Sequence, residues 1–127
     1  MAEKISSRIL VGEDDVFLSK VYMAKLTKEG YQVEHAINGE KVLEAARKKK
    51  PDLILLDLMM PVKDGFETLK ELKADAALKD IKVMILSNLS QEEDKKRVMD
   101  MGAAEYVVKA DVSFSEVTKL VKKHLEK

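Results

Sequence analysis

The chain contains no cysteine, which excludes disulfides, thiolate catalysis and cysteine-ligated zinc. An excess of one charge is also missing, since 23 basic residues balance 23 acidic ones. Such a balance gives no electrostatic reason to expect a nucleic acid or an anionic membrane as partner. Long hydrophobic runs are absent too. The opening residues MAEKISSR lack the apolar stretch of a secretory signal, and the most apolar segment, Leu53–Leu56, runs straight into Asp57. No membrane span is expected, and the cytoplasm is the expected location. No internal repeat, linker or low-complexity tract breaks the chain.

What remains is one alternating pattern over 127 residues, 46% of them apolar. That is the length and composition of one globular domain, expected to span residues 1–127. Short β-rich runs occupy residues 9–11, 31–33, Leu53–Leu56, 83–86 and 106–108. Between them, apolar residues fall at helical spacing: Leu18, Val21, Tyr22 and Leu26 in the first interval, and Phe66, Leu69 and Leu72 after Asp64-Gly65. Val117, Leu120, Val121 and Leu125 close the chain in the same way, while Gly30 and Gly102 supply helix stops. Five strands alternating with five helices predict a parallel sheet covered on both faces, an α/β fold.

In an open parallel sheet, ligands bind beyond the carboxyl ends of the strands. The residues just after the apolar runs are Glu13, Asp14 and Asp15, then Asp57, Ser87 and Lys109. Each has a plain structural alternative: Asp15 as a helix N-cap, Ser87 as a turn residue, Lys109 as a solvated cation. Together they describe a site. Clustered carboxylates repel one another unless a cation sits among them. Oxygen-only donors favour a hard ion, Mg2+ or Mn2+ in its place. A lysine and a hydroxyl beside such an ion suit a phosphoryl group, and a remaining carboxylate can act as nucleophile. Residue types and spacing therefore lead to a Mg2+-dependent phosphate site and stop there.

The motifs Ile9-Leu10-Val11-Gly12-Glu13-Asp14-Asp15, Leu55-Leu56-Asp57-Leu58-Met59-Met60-Pro61 with Asp64-Gly65, Ile85-Leu86-Ser87 and Tyr106-Val107-Val108-Lys109 occur in this order. With them the chain resembles the receiver domains of two-component response regulators, from about residue 8 to residue 125. The resemblance implies a flavodoxin-like (βα)5 three-layer sandwich with strand order 2-1-3-4-5. It implies Glu13 and Asp14 as the Mg2+-holding pair, with Asp57 and the backbone carbonyl of Met59 as further ligands. Asp57 would be the phosphoacceptor, Ser87 the switch hydroxyl, Lys109 its cationic partner and Tyr106 the aromatic that follows the switch. The implied donor is a histidine kinase, a phosphotransfer protein or a small acyl phosphate. Phosphorylation would then alter the face formed by the fourth helix, fifth strand and fifth helix toward a downstream protein target. The implied protein is a signalling module, not a turnover enzyme, and a monomer or a weak phosphorylation-dependent dimer.

Four positions depart from the family pattern. Ala110 follows the lysine where proline is usual. A cis bond before a residue other than proline costs about 2.5–4 kcal/mol, so a trans Lys109–Ala110 bond in an altered loop is expected. Asn88 is larger than the usual residue after the switch hydroxyl and narrows access. Met59 and Leu89 flank the acceptor and are apolar, which predicts slow self-dephosphorylation. The fourth helix, expected near residues 91–101, carries a thin apolar stripe of mainly Val98 and Met101, as a movable element would. His35, His124 and the lysine runs 48–50 and 122–123 read as structural or solvated residues.

Other functional classes fit less well. An aspartate-dependent phosphatase would carry Asp-x-Asp after the first strand, where this chain has Glu13-Asp14-Asp15. A flavin carrier would need a Ser/Thr/Gly-rich phosphate loop there. A phosphorylation-independent pseudo-receiver, acting as a scaffold, is opposed by the intact acidic pair with Asp57, Ser87 and Lys109.

Overall fold

The structure, a computed structural model, describes residues 7–89 and 91–125. The expected domain limits at residues 1 and 127 lie outside them. The elements run β1 (Arg8–Gly12), α1 (Val16–Lys28), β2 (Gln32–Ala36), α2 (Gly39–Lys48), β3 (Leu53–Leu56), α3 (Gly65–Ala74), β4 (Lys82–Ser87), α4 (Glu92–Asp100), β5 (Glu105–Val108) and α5 (Phe114–Leu125). The sheet is parallel throughout, with order β2-β1-β3-β4-β5. This is the expected flavodoxin-like arrangement.

Alternation along the central strands builds the two cores. Leu10, Ile54, Leu56, Val83 and Ile85 face one way and pack with Val42, Leu43, Leu69, Leu72 and Val98 of α2, α3 and α4. Ile9, Val11, Leu53, Leu55, Met84 and Leu86 face the other way, against Tyr22 and Leu26 of α1 and Val117 and Val121 of α5. β3 is buried at every position, which is why it reads as an unbroken apolar run. Burying each such leucine or isoleucine contributes about 1.5–3 kcal/mol relative to exposure.

Helix termini are set by short polar side chains on the loops. The Asp15 carboxylate accepts the Leu18 N–H at 3.1 Å, Asn38 that of Lys41 at 2.9 Å and Asp64 that of Glu67 at 2.9 Å. The capping role expected of Asp15 is therefore met. Gly30 and Gly102 follow α1 and α4 with φ of +99° and +103°, where a glycine avoids the steric cost of a Cβ.

β2 runs from Gln32 to Ala36, three residues past the apolar run 31–33, with His35 on the strand as expected. It is an edge strand with alternate positions exposed, which is why polar Glu34 and His35 belong to it. In addition, a single 3-10 turn, Lys109–Asp111, follows β5. Among the described residues, no helix is long and apolar enough to cross a membrane.

Candidate functional site

Parallel pairing brings the ends of β1 and β3 together, with Gly12 opposite Leu56. The ladder extends one step further on each side. The Asp57 N–H donates to the Gly12 carbonyl at 3.0 Å, and the Glu13 N–H to the Ala36 carbonyl at 3.0 Å. Glu13 and Asp57 thus leave adjacent strands at the same level, and both are buried, at 3% and 5% exposure. Carboxylates this enclosed need compensation.

Lys109 supplies it. Its ammonium donates to Glu13 Oε1 at 2.5 Å and to Asp57 Oδ2 at 2.9 Å. The second Asp57 oxygen, Oδ1, accepts the Met59 N–H at 3.1 Å, and Glu13 Oε2 accepts the Asp15 N–H at 3.2 Å. The Lys109–Ala110 bond is trans, as no cis peptide occurs among the described residues. Lys109 reaches the acidic site from a 3-10 turn without the usual proline.

The electrostatics follow from this packing. Burial pushes the Glu13 carboxyl up to about 7, opposed by the hydrogen bond from Lys109 and reinforced by the charge of Asp57. For Lys109, burial disfavours the ammonium, but the hydrogen bonds to Glu13 and Asp57 outweigh it and raise its pKa. The lysine is held charged.

Glu13, Asp14 and Asp57 each offer a carboxylate oxygen, and these lie within 4.8 Å of one another. Asp14 is exposed, so the cluster opens to solvent on its side. Three carboxylates against one ammonium leave an excess negative charge of two when all are ionised. An all-oxygen donor set with that charge and one open side fits a hard divalent cation such as Mg2+.

Ser87 ends β4 opposite Val108, next in sequence to Lys109, and is fully buried. Its hydroxyl accepts the Leu89 N–H at 3.2 Å, while the Tyr106 hydroxyl donates to the Leu89 carbonyl at 2.5 Å. Both residues expected to switch therefore hold the same residue of the β4–α4 loop. Tyr106 is half-buried, and burial raises its pKa, with Asp94 adding to the effect. Met59 is exposed at the mouth of the site, and Leu89 packs against the core.

His35, which reads from the sequence as a structural or solvated residue, lies beside the site. Its Nε2 lies 2.7 Å from the backbone carbonyl of Glu13. The available signal was topological, because order 2-1-3 places the end of β2 beside the end of β1. A separation of 22 residues hid it from spacing arguments.

Comparison with known proteins agrees with this geometry. Residues 9–122 match the family described as response regulator receiver domain. The chain is 40% identical over 102 residues to the DNA-binding dual master transcriptional regulator RpaA of Synechocystis, covering 80% of this chain and 42% of that protein. It therefore spans less than half the length of that relative. The receiver domain of a signal transduction histidine kinase from Syntrophus aciditrophicus superposes with a TM-score of 0.86 at 31% identity, covering 94% of this chain and 90% of that one. The chemotaxis protein CheY4 of Vibrio cholerae superposes with a TM-score of 0.88 at 26% identity, over 95% and 100% of the two chains.

Proposed function

Because the chain belongs to the response regulator receiver domain family of two-component signalling, we propose that it accepts a phosphoryl group on Asp57 in a Mg2+-dependent reaction. The supporting observation is the Lys109 ammonium bridging Glu13 and Asp57 inside a three-carboxylate cluster. In this reading, residues 1–127 act as one receiver domain in the cytoplasm.

Glu13, Asp14, Asp57 and the Met59 carbonyl would hold Mg2+, or Mn2+ in its place. The ion would neutralise charge on the phosphoryl oxygens. An Asp57 carboxylate oxygen attacks the phosphorus of a phosphohistidine or an acyl phosphate. The new P–O bond forms as the donor's P–N or P–O bond breaks, and the leaving group keeps the electron pair. Lys109 and the Ser87 hydroxyl bind phosphoryl oxygens in the product. Moving the hydroxyl would release the Leu89 N–H, and Tyr106 is bonded to the same residue. The signal thereby reaches the α4-β5-α5 face, where a downstream protein binds. The chain phosphorylates and dephosphorylates itself only, and acts as a monomer or a weak phosphorylation-dependent dimer.

Incubation with acetyl phosphate and Mg2+, or with beryllofluoride as a mimic, tests this against Asp57→Asn. Modification of the wild type alone is expected. Equal behaviour of the two proteins would leave a phosphorylation-independent scaffold as the reading. Slow loss of the phosphoryl group is expected from the apolar Met59 and Leu89, and introducing polar residues there should accelerate it.

A further inference from the structure

We infer that His35 is a positioning residue for the acidic pair Glu13-Asp14, acting through the peptide that joins them. The inference rests on the function proposed above and concerns how the metal-binding loop is held before any ion arrives.

The ladder between β1 and β2 ends with the Glu13 N–H donating to the Ala36 carbonyl. β2 stops at Ala36, so backbone pairing there does not continue. The His35 ring instead places Nε2 2.7 Å from the Glu13 carbonyl. A carbonyl oxygen only accepts, so Nε2 carries the hydrogen. Neutral imidazole in that tautomer and imidazolium both donate at this atom, and the bond needs no charge on the ring.

The consequence lies in peptide geometry. The Glu13 carbonyl and the Asp14 N–H belong to one rigid plane. Fixing that oxygen fixes the plane, and with it the direction in which the chain enters Asp14. Glu13 is then held at every polar group: N–H by Ala36, carbonyl by His35, Oε1 by Lys109 and Oε2 by the Asp15 N–H. Asp14 has an exposed side chain, and its orientation depends on the backbone that carries it. Without the His35 bond the peptide is free to rotate, and the two carboxylates must be reordered when a cation binds. Groups that orient metal ligands in this way typically change affinity by about 10- to 100-fold.

The test uses the whole chain and Mg2+ alone, titrated while backbone amide shifts of residues 12–15 and 57–59 are followed by NMR. His35→Leu removes the donor, whereas His35→Gln carries an amide N–H at similar reach. His35→Leu is expected to weaken Mg2+ binding by about tenfold or more, and His35→Gln to recover most of the loss. In metal-free protein, the Glu13 amide, which donates to the Ala36 carbonyl, should exchange faster in His35→Leu while β3 amides keep wild-type protection. If His35→Leu fails to fold, His35→Asn, polar but too short to reach Glu13, should show the same loss. Unchanged Mg2+ affinity in the donor-less variant, or equal weakening in His35→Gln, would overturn the inference. Equal modification of wild type and Asp57→Asn by acetyl phosphate would overturn the proposed function itself, whatever the His35 variants show.

Discussion

The Lys109 ammonium lies 2.9 Å from Asp57 Oδ2, joining residues 52 apart in sequence, and the same nitrogen holds Glu13 Oε1 at 2.5 Å. The pair of buried carboxylates is tolerated because this cation stands between them. Replacing Lys109 with methionine keeps the stem's packing and removes the charge. At pH 8, without metal, the variant is expected to lose about 3 kcal/mol in urea unfolding, the cost of breaking a buried ion pair. The loss should shrink toward pH 5.5, where Glu13 takes up a proton, and shrink on adding Mg2+. Equal loss at both pH values would contradict this account.

Glu13 gives the site a pH dependence with a defined sign. Its folded pKa, about 7, stands above the ordinary glutamate value of 4.5, with burial the largest cause. The folded protein binds this proton more tightly than the unfolded chain, so the group's contribution to stability declines as pH rises from about 4.5 through 7. A cation competing for the same carboxylate faces the opposite slope. Mg2+ affinity is expected to rise about tenfold between pH 6 and pH 8, as Glu13 passes from mostly protonated to mostly ionised. Titrations at three pH values would measure it, and Glu13→Gln should flatten the curve.

Gly65 controls how closely α3 approaches Asp57. A Cβ there would lie 2.3 Å from the Asp57 carbonyl oxygen and 2.6 Å from Leu58 Cα, both backbone atoms. The Gly65 N–H also donates to the Leu58 carbonyl at 3.0 Å, so the helix cannot slide away without losing that bond. Gly65→Ala is expected to cost about 1–3 kcal/mol and to slow Asp57 phosphorylation by displacing its backbone. Gly30→Ala is the control. Nothing lies within 4 Å of the added carbon, and only the strain of φ +99° is incurred, about 1 kcal/mol with phosphorylation unchanged.

Much of this was legible in the sequence, for identifiable reasons. β3 announces itself because both its faces are buried, and Asp57 stands out as a charge ending that run. Glu13, Asp14 and Lys109 follow their strands directly and Ser87 ends β4, so the strand ends point to all four. What stayed hidden depends on pairing across strands or on backbone angles. The His35 bond to Glu13 required the order of β2 beside β1 and a side chain on an edge strand. Val62 is a second case. It adopts φ +70° in a tight turn closed by the Lys63 N–H to the Pro61 carbonyl at 2.7 Å, a conformation that a β-branched residue disfavours. No residue type near it signals that strain.

α4 is the element expected to move, and its anchoring is light. Within the helix only Val98 is buried, whereas α2 buries Val42, Leu43 and Ala46 over a similar length. Outside that contact, the Arg97 guanidinium lies 4.0 Å from the centre of the Phe66 ring on α3. A cation–π contact at such a site is worth about 0.5–1 kcal/mol. Amides of α4 are therefore expected to exchange with solvent faster than those of α2 and much faster than those of β3. Arg97→Ala should raise the α4 rates a further two- to fivefold or so, the equivalent of that contact, while leaving β3 unchanged. Protection of α4 equal to that of β3 would show that the helix is fixed, and the route from Ser87 and Tyr106 through Leu89 would then have no mobile element to act on.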